Sequence, residues 1–138
     1  MIGRLLCAVL ALLLATPGVA QDSPFAPAIR VNSDAITHYE IGQRARFLAL
    51  LNTPGDLQRL ARDQLIDEKL QLQQARRFNV MPGEDDLRSG MEEFAGRADL
   101  SADQFIAALG ERGIARQTFE DFIRARICWR NVVQGLFG

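Results

Sequence analysis

The chain has 138 residues, with 16 basic and 17 acidic side chains, a formal net charge of −1 and 48% hydrophobic residues. Both signs of charge are interspersed, so no basic field is offered to nucleic acid. Two cysteines, Cys7 and Cys128, and a single histidine, His38, show no zinc-site spacing.

The first twenty residues read as a cleavable secretory signal. Arg4 supplies a positive start, Leu5 to Ala15 an unbroken apolar run, and Thr16-Pro17-Gly18 a break before the small-x-small site Gly18-Val19-Ala20. Cleavage is expected between Ala20 and Gln21. The apolar run is too short for a transmembrane helix, which needs about 20 residues. Processing would leave 118 residues with one cysteine and a balance near minus two. That is one domain, held by packing and without an internal disulfide. Arginine dominates the basic residues, Lys69 being the only lysine.

Residues 21–28, polar and bearing Pro24 and Pro27, read as a disordered lead-in. Ile29 and Val31 alternate with Arg30 and Asn32, the stretch Asn32-Ser33-Asp34 carries turn chemistry, and Ala35-Ile36 returns, predicting a very short hairpin. Thr37 and Glu40 form a Thr-x-x-Glu capping box with Ile36 and Ile41 as its staple, opening a first helix that runs to about Leu51. Asn52-Thr53-Pro54-Gly55 ends it.

Asp56 caps a second helix, the longest, through Phe78. Leu57, Ala61, Leu65 and Leu72 share one face and Ile66 and Leu70 another, so the apolar stripe is wide enough for several neighbours. Asn79 fits a left-handed position after its end, with Val80 as the hydrophobic contact and Pro82 blocking continuation. Glu84-Asp85-Asp86 open a third helix, where carboxylates favour the positive end of the macrodipole. With no histidine beside them, they are read as a helix start rather than a catalytic cluster. Leu87, Met91 and Phe94 form its apolar stripe before Gly96.

Ser101 and Gln104 make a second capping box, with Leu100 and Phe105 as its staple, for a short fourth helix carrying Ile106 and Leu109. Gly113 supplies the turn into a fifth helix from about Arg116. There Phe119, Ile123 and Ile127 lie on one side, and Phe122 and Trp129 on another. Cys128, in this apolar stretch, reads as a small buried hydrophobe, and His38 as a solvated side chain. No phosphate-cradling glycine loop, EF-hand or nucleophile elbow occurs. No catalytic residue, cofactor or metal is therefore expected. The residues alone describe an all-α, five-helix domain behind a short β-hairpin.

The segment Ile29-Arg30-Val31-Asn32-Ser33-Asp34-Ala35-Ile36-Thr37, with Glu40 three beyond, resembles the opening of the SurA family of periplasmic chaperones. Leu65-Ile66-Asp67-Glu68-Lys69-Leu70-Gln71-Leu72-Gln73 resembles that family's central helix. Phe105 to Leu109, Gly113, and Phe119 to Ile127 resemble its last two N-terminal helices. The likeness covers residues 29 to about 134, and rests on the order and spacing of hairpin, caps and helices. It implies a SurA N-terminal-like domain over 29–138 that works in the periplasm and binds unfolded outer-membrane proteins through aromatic-rich segments. It also implies that the family's parvulin-type prolyl isomerase domain, and a C-terminal helix that packs back on this region, fall outside these residues. No isomerase activity is then expected of them.

On this basis the helices are expected to form a cradle whose exposed apolar strip receives unfolded chain, with Phe47, Leu50, Met91, Phe94, Phe105, Phe122 and Trp129 as peptide-binding candidates. A homodimer or a partner helix is expected to cover apolar surface left on the fifth helix. The alternatives are a helical adaptor for one folded envelope partner, and a fragment of a complete parvulin-type isomerase.

Overall fold

The computed structural model describes residues 23–138. The signal reading for residues 1–20, and its cleavage point between Ala20 and Gln21, lie outside the described residues. The described chain runs β1 (Pro27–Val31), β2 (Asp34–Thr37), α1 (His38–Leu50), α2 (Leu57–Arg77), α3 (Glu84–Gly96), α4 (Ala102–Glu111) and α5 (Arg116–Phe137). The all-α domain of five helices behind a short hairpin is the observed architecture.

β1 and β2 pair antiparallel, with Ile29 opposite Ile36 and Val31 opposite Asp34, and the register shifts between Pro27 and Ile29. Asn32 takes the left-handed conformation, φ 57°, that the tight reversal needs and that asparagine tolerates. The reading of 21–28 as a disordered lead-in is corrected for its described part. The Pro24 carbonyl accepts from the Tyr39 N–H at 2.7 Å, and Pro27 and Ala28 already belong to β1. The Phe25 ring lies against Tyr39 with centroids 5.1 Å apart. Stacking and backbone pairing together hold a segment that composition marks as loop.

Both sequence-read capping boxes form. Thr37 Oγ1 accepts from the Glu40 N–H at 3.1 Å while a Glu40 carboxylate oxygen accepts from the Thr37 N–H at 2.7 Å. Ser101 and Gln104 repeat the exchange at 3.1 and 2.9 Å. Each box satisfies donors that the first helical turn leaves free. Asp56 caps α2 through the N–H groups of Gln58 and Arg59. Asn79, φ 56°, and Gly113, φ 68°, take the left-handed turns that end α2 and α4.

The apolar residues sort into two main clusters that share α1. One face of α1, through Ile41, Ala45 and Leu48, packs with Val31, Ile36, Ala61 and Leu65 of the hairpin and α2. The other presents Phe47 to a cluster from α3, α4 and α5 that includes Leu87, Met91, Phe105, Leu109, Phe119, Phe122, Ile123 and Ile127. Five phenylalanine rings interlock there. Phe47 lies 5.0 Å from Phe122, and Phe105 4.8 Å from Phe119, both edge to face, with Phe94 5.5 Å from Phe119 and from Phe122. Such arrangements stabilise beyond area burial, by about 0.5–1.5 kcal/mol a pair.

A third, smaller cluster seats Ala75, Cys128 and Val132 where α2 and the end of α5 meet. Gln43, buried in α1, ties the two halves together. Its Oε1 accepts from the Ala115 N–H at 2.8 Å and its Nε2 donates to the Gly113 carbonyl at 3.1 Å, so a side chain of α1 holds the turn that starts α5. Gln73 of α2 plays the same part for the hairpin, donating to the Val31 carbonyl and to Asp34 at 2.9 Å each.

Candidate functional site

α2 and α5 lie side by side and leave a groove of about 430 Å³ on their outer surface. One wall is the α2 row Gln64, Asp67, Glu68 and Gln71, and the other is the α5 row Phe122, Arg126, Trp129 and Arg130. These spacings of three, four and seven are the rows that one helix face presents. A second hollow, of about 210 Å³, continues past Leu70, Gln71, Gln74 and Trp129. Trp129 is 47% exposed and Leu70 42%, so the groove carries apolar surface that the fold does not use. Phe78, Met81, Leu136 and Phe137 add exposed apolar side chains elsewhere.

Glu68 and Phe122, which line the groove, are both held from behind by a buried charge. Arg44, 1% exposed, reaches from α1 to Glu68 of α2, and its guanidinium carbon stands 5.2 Å from the centre of the Phe122 ring. The exposed Arg126 stands 5.0 Å from the same ring. Phe122 thus has one buried and one solvent-facing cation within cation–π distance of its ring. Burial pushes the Glu68 carboxyl above its ordinary range, and the Arg44 hydrogen bond and charge offset part of that rise. Arg44 Nε is buried without a hydrogen-bond partner among the described residues.

The seven peptide-binding candidates do not share one surface. Phe47, Met91, Phe105 and Phe122 are buried, and Leu50 and Phe94 are half-buried against the same cluster. The exposed strip drawn through these six positions is corrected to core and core edge, because α3, α4 and α5 pack together and Phe47 of α1 enters the cluster of rings they form. Trp129 alone of the seven stands exposed in the groove. Uncovered aromatic surface on α5 shrinks accordingly: Phe119 is fully buried and Phe122 nearly so. Gln64, Asp67, Gln71, Arg126 and Arg130 were not anticipated as site residues. Their i, i+3, i+4 and i+7 spacing was readable, but not the pairing of α2 with α5.

Cys128 is buried, its Sγ 3.7 Å from Met81 Sδ, and burial pushes its thiol up. It is not a poised nucleophile. Glu84, Asp85 and Asp86 sit in the first turn of α3, and Asp86 accepts from the Gly83 N–H at 3.2 Å. Among the described residues no group of three or more His, Cys, Asp or Glu side chains is placed to hold a metal ion. No described helix is long and apolar enough to cross a membrane.

The chain is 31% identical over 124 residues, 83% of its length, to a chaperone SurA of Chromohalobacter salexigens. It is 32% identical over 102 residues, 68% of its length, to one of Alcanivorax borkumensis. To that of Saccharophagus degradans it is 30% identical over 74 residues, 54% of its length. The matches span 28%, 23% and 17% of those relatives. The chain is therefore homologous, over a limited share of their length, to chaperones of this name from several species. No protein-family model matches it, and no solved structure matches it at significance.

Proposed function

We propose that this chain is a chaperone-like domain of the periplasm that holds unfolded outer-membrane polypeptides by their aromatic segments, with the α2–α5 groove as their seat. The observation that carries the reading is Trp129. It is a large aromatic side chain, left half exposed beside Leu70 in an open groove, on a chain homologous to proteins named chaperones. Large exposed aromatics beside a groove are characteristic of interaction sites. Periplasmic residence accords with the leader-like first twenty residues. The activity is binding, and no prolyl isomerase chemistry is assigned to these residues.

Light scattering tests this. A urea-denatured outer-membrane protein is diluted with and without a several-fold excess of the chain, in native form and as Trp129→Ser. Suppressed aggregation by the native chain, weakened in the variant, is the expected result. Equal aggregation with and without the chain would remove the chaperone reading.

A further inference from the structure

The groove is asymmetric in charge, and the asymmetry points to a class of occupant. Arg126 and Arg130 lie one turn apart on α5, both exposed, with Trp129 beside them. Like charges at this spacing repel each other. Among the described residues neither arginine forms an ion pair or donates a hydrogen bond to a carboxylate.

The acids around them are engaged or stand on the other wall. Glu68 is held by Arg44 at 2.6 and 2.8 Å, and Glu93, which shares a neighbouring hollow with both arginines, accepts from Arg97 at 3.2 Å. Asp67 faces them across the groove from α2. On α5 itself, Asp121 is paired with Arg124 and Glu120 with Arg116. The α5 wall thus presents two unpaired cations and an indole, and the α2 wall two amides, the unpaired carboxylate of Asp67 and the Glu68 carboxylate that Arg44 already holds.

We propose that the groove selects polypeptide segments in which an aromatic residue is flanked by carboxylates, the ring lying against Trp129 and the carboxylates pairing with Arg126 and Arg130. The inference rests on the groove being the client seat and adds a charge preference and an orientation to it. A guanidinium takes a carboxylate in a planar two-point contact. Asp67 repels the same carboxylates from the opposite wall, so the acidic side of the segment is directed over α5. Generic apolar capture accounts for Trp129, and Arg126 also lies against the Phe122 ring, but it leaves both arginine charges without a partner.

The test uses the full chain and three fluorescein-labelled peptides of one aromatic sequence, carrying glutamate, glutamine or lysine at the flanking positions, with binding read by anisotropy. At low ionic strength the glutamate peptide is expected to bind about fivefold more tightly than the glutamine one, since two exposed ion pairs add modestly. The lysine peptide is expected to bind more weakly than either. The glutamate advantage should close in high salt. Arg126→Gln/Arg130→Gln should abolish that advantage while leaving glutamine-peptide binding in place, whereas Arg126→Lys/Arg130→Lys, which keeps the charge, should preserve most of it.

Equal binding of the glutamate and glutamine peptides to the native chain would overturn the charge preference and leave the client seat standing. So would an advantage that survives the double glutamine variant. Failure of all three peptides to bind would overturn the seat and the preference together.

Discussion

Arg44 and Glu68 meet in a two-point fork, Nη1 to Oε1 at 2.6 Å and Nη2 to Oε2 at 2.8 Å, that joins α1 to α2 beneath Phe122. Gln64 Oε1 accepts from the same Nη1 at 3.3 Å. Removing one member of a buried pair leaves the other charge uncompensated and costs about 3–5 kcal/mol, whereas replacing both with apolar residues of similar volume is often neutral or stabilising. Arg44→Leu is therefore expected to lower the urea midpoint sharply, and Arg44→Leu/Glu68→Leu to recover most of the loss. Additive losses in the double variant would show that the two side chains act independently.

The same pair sets a pH dependence. Burial raises the Glu68 carboxyl in the folded chain above its ordinary value of 4.5. A raised folded pKa makes the group's contribution fully present below the unfolded value and lost as pH rises through the folded one. Glu68→Gln removes the titration, so the stability of the native chain relative to this variant should decline as pH climbs from about 4.5. Paired urea titrations from acid to neutral pH measure it. A difference that instead grows with pH would mean that attraction to Arg44 outweighs burial.

Two glycines within helices should respond oppositely to alanine. A Cβ on Gly90 of α3 would stand 2.9 Å from Ile123 Cγ2 and 3.0 Å from Ile127 Cδ1, whereas one on Gly42 of α1 meets nothing within 4 Å. Alanine gains about 0.8–1 kcal/mol over glycine inside a helix, and overpacking costs about 1–3 kcal/mol. Gly42→Ala should raise the melting temperature and Gly90→Ala should lower it or leave it level. A clear rise for Gly90→Ala would show that α5 gives way without cost.

Core and groove aromatics should separate by stability. Phe119 is fully buried against the rings of Phe47, Phe94 and Phe105, so Phe119→Ala is expected to cost about 3–5 kcal/mol. Trp129→Ala should cost well under half as much while weakening capture of an aromatic peptide. Chemical denaturation and peptide anisotropy on the same two variants distinguish these outcomes. A Trp129 variant as unstable as the Phe119 one would place the indole in the core.

Cys128 supplies a further check. Its buried thiol, pushed up in pKa, should alkylate slowly at neutral pH, because the thiolate is the reactive form. Met81→Ala, which removes the sulfur lying 3.7 Å away, should quicken modification of Cys128 as followed by peptide mass mapping. Rapid labelling of the native chain would contradict the packing of α5 on α2.

Features set by neighbouring residues were legible in the sequence. The Thr37–Glu40 and Ser101–Gln104 boxes, the Asn79 and Gly113 turns and the hairpin reversal at Asn32 depend on hydrogen bonds and dihedrals spanning a few positions. The site was less legible, because it depends on which helix covers which face. Phe122 and Trp129 sit two turns apart on one side of α5. Phe122 lies under Phe47 and Arg44 of α1, whereas Trp129 has α2's Leu70, Gln71 and Gln74 beside it. Neither periodicity nor residue type distinguishes the two. Arg44 was equally hidden, since an arginine in an amphipathic helix reads as solvated until Glu68 is brought opposite.

The division of the apolar residues about α1 bears on the order in which the chain folds. The cluster of hairpin, α1 and α2 draws all its members from residues 28–66, whereas Phe47 on the other face must wait for partners as distant as Ile127. Short-range closure carries the smaller loop entropy. A chain refolding from its extended form should therefore settle the hairpin against α1 and α2 first and recruit α3 to α5 onto a formed template. Under this scheme truncating Leu48 or Ala61 slows refolding, while truncating Phe119 chiefly hastens unfolding. An intermediate of that kind would hold the Phe47 face open to water until α5 arrives, the one stage at which this domain would itself offer a client's surface.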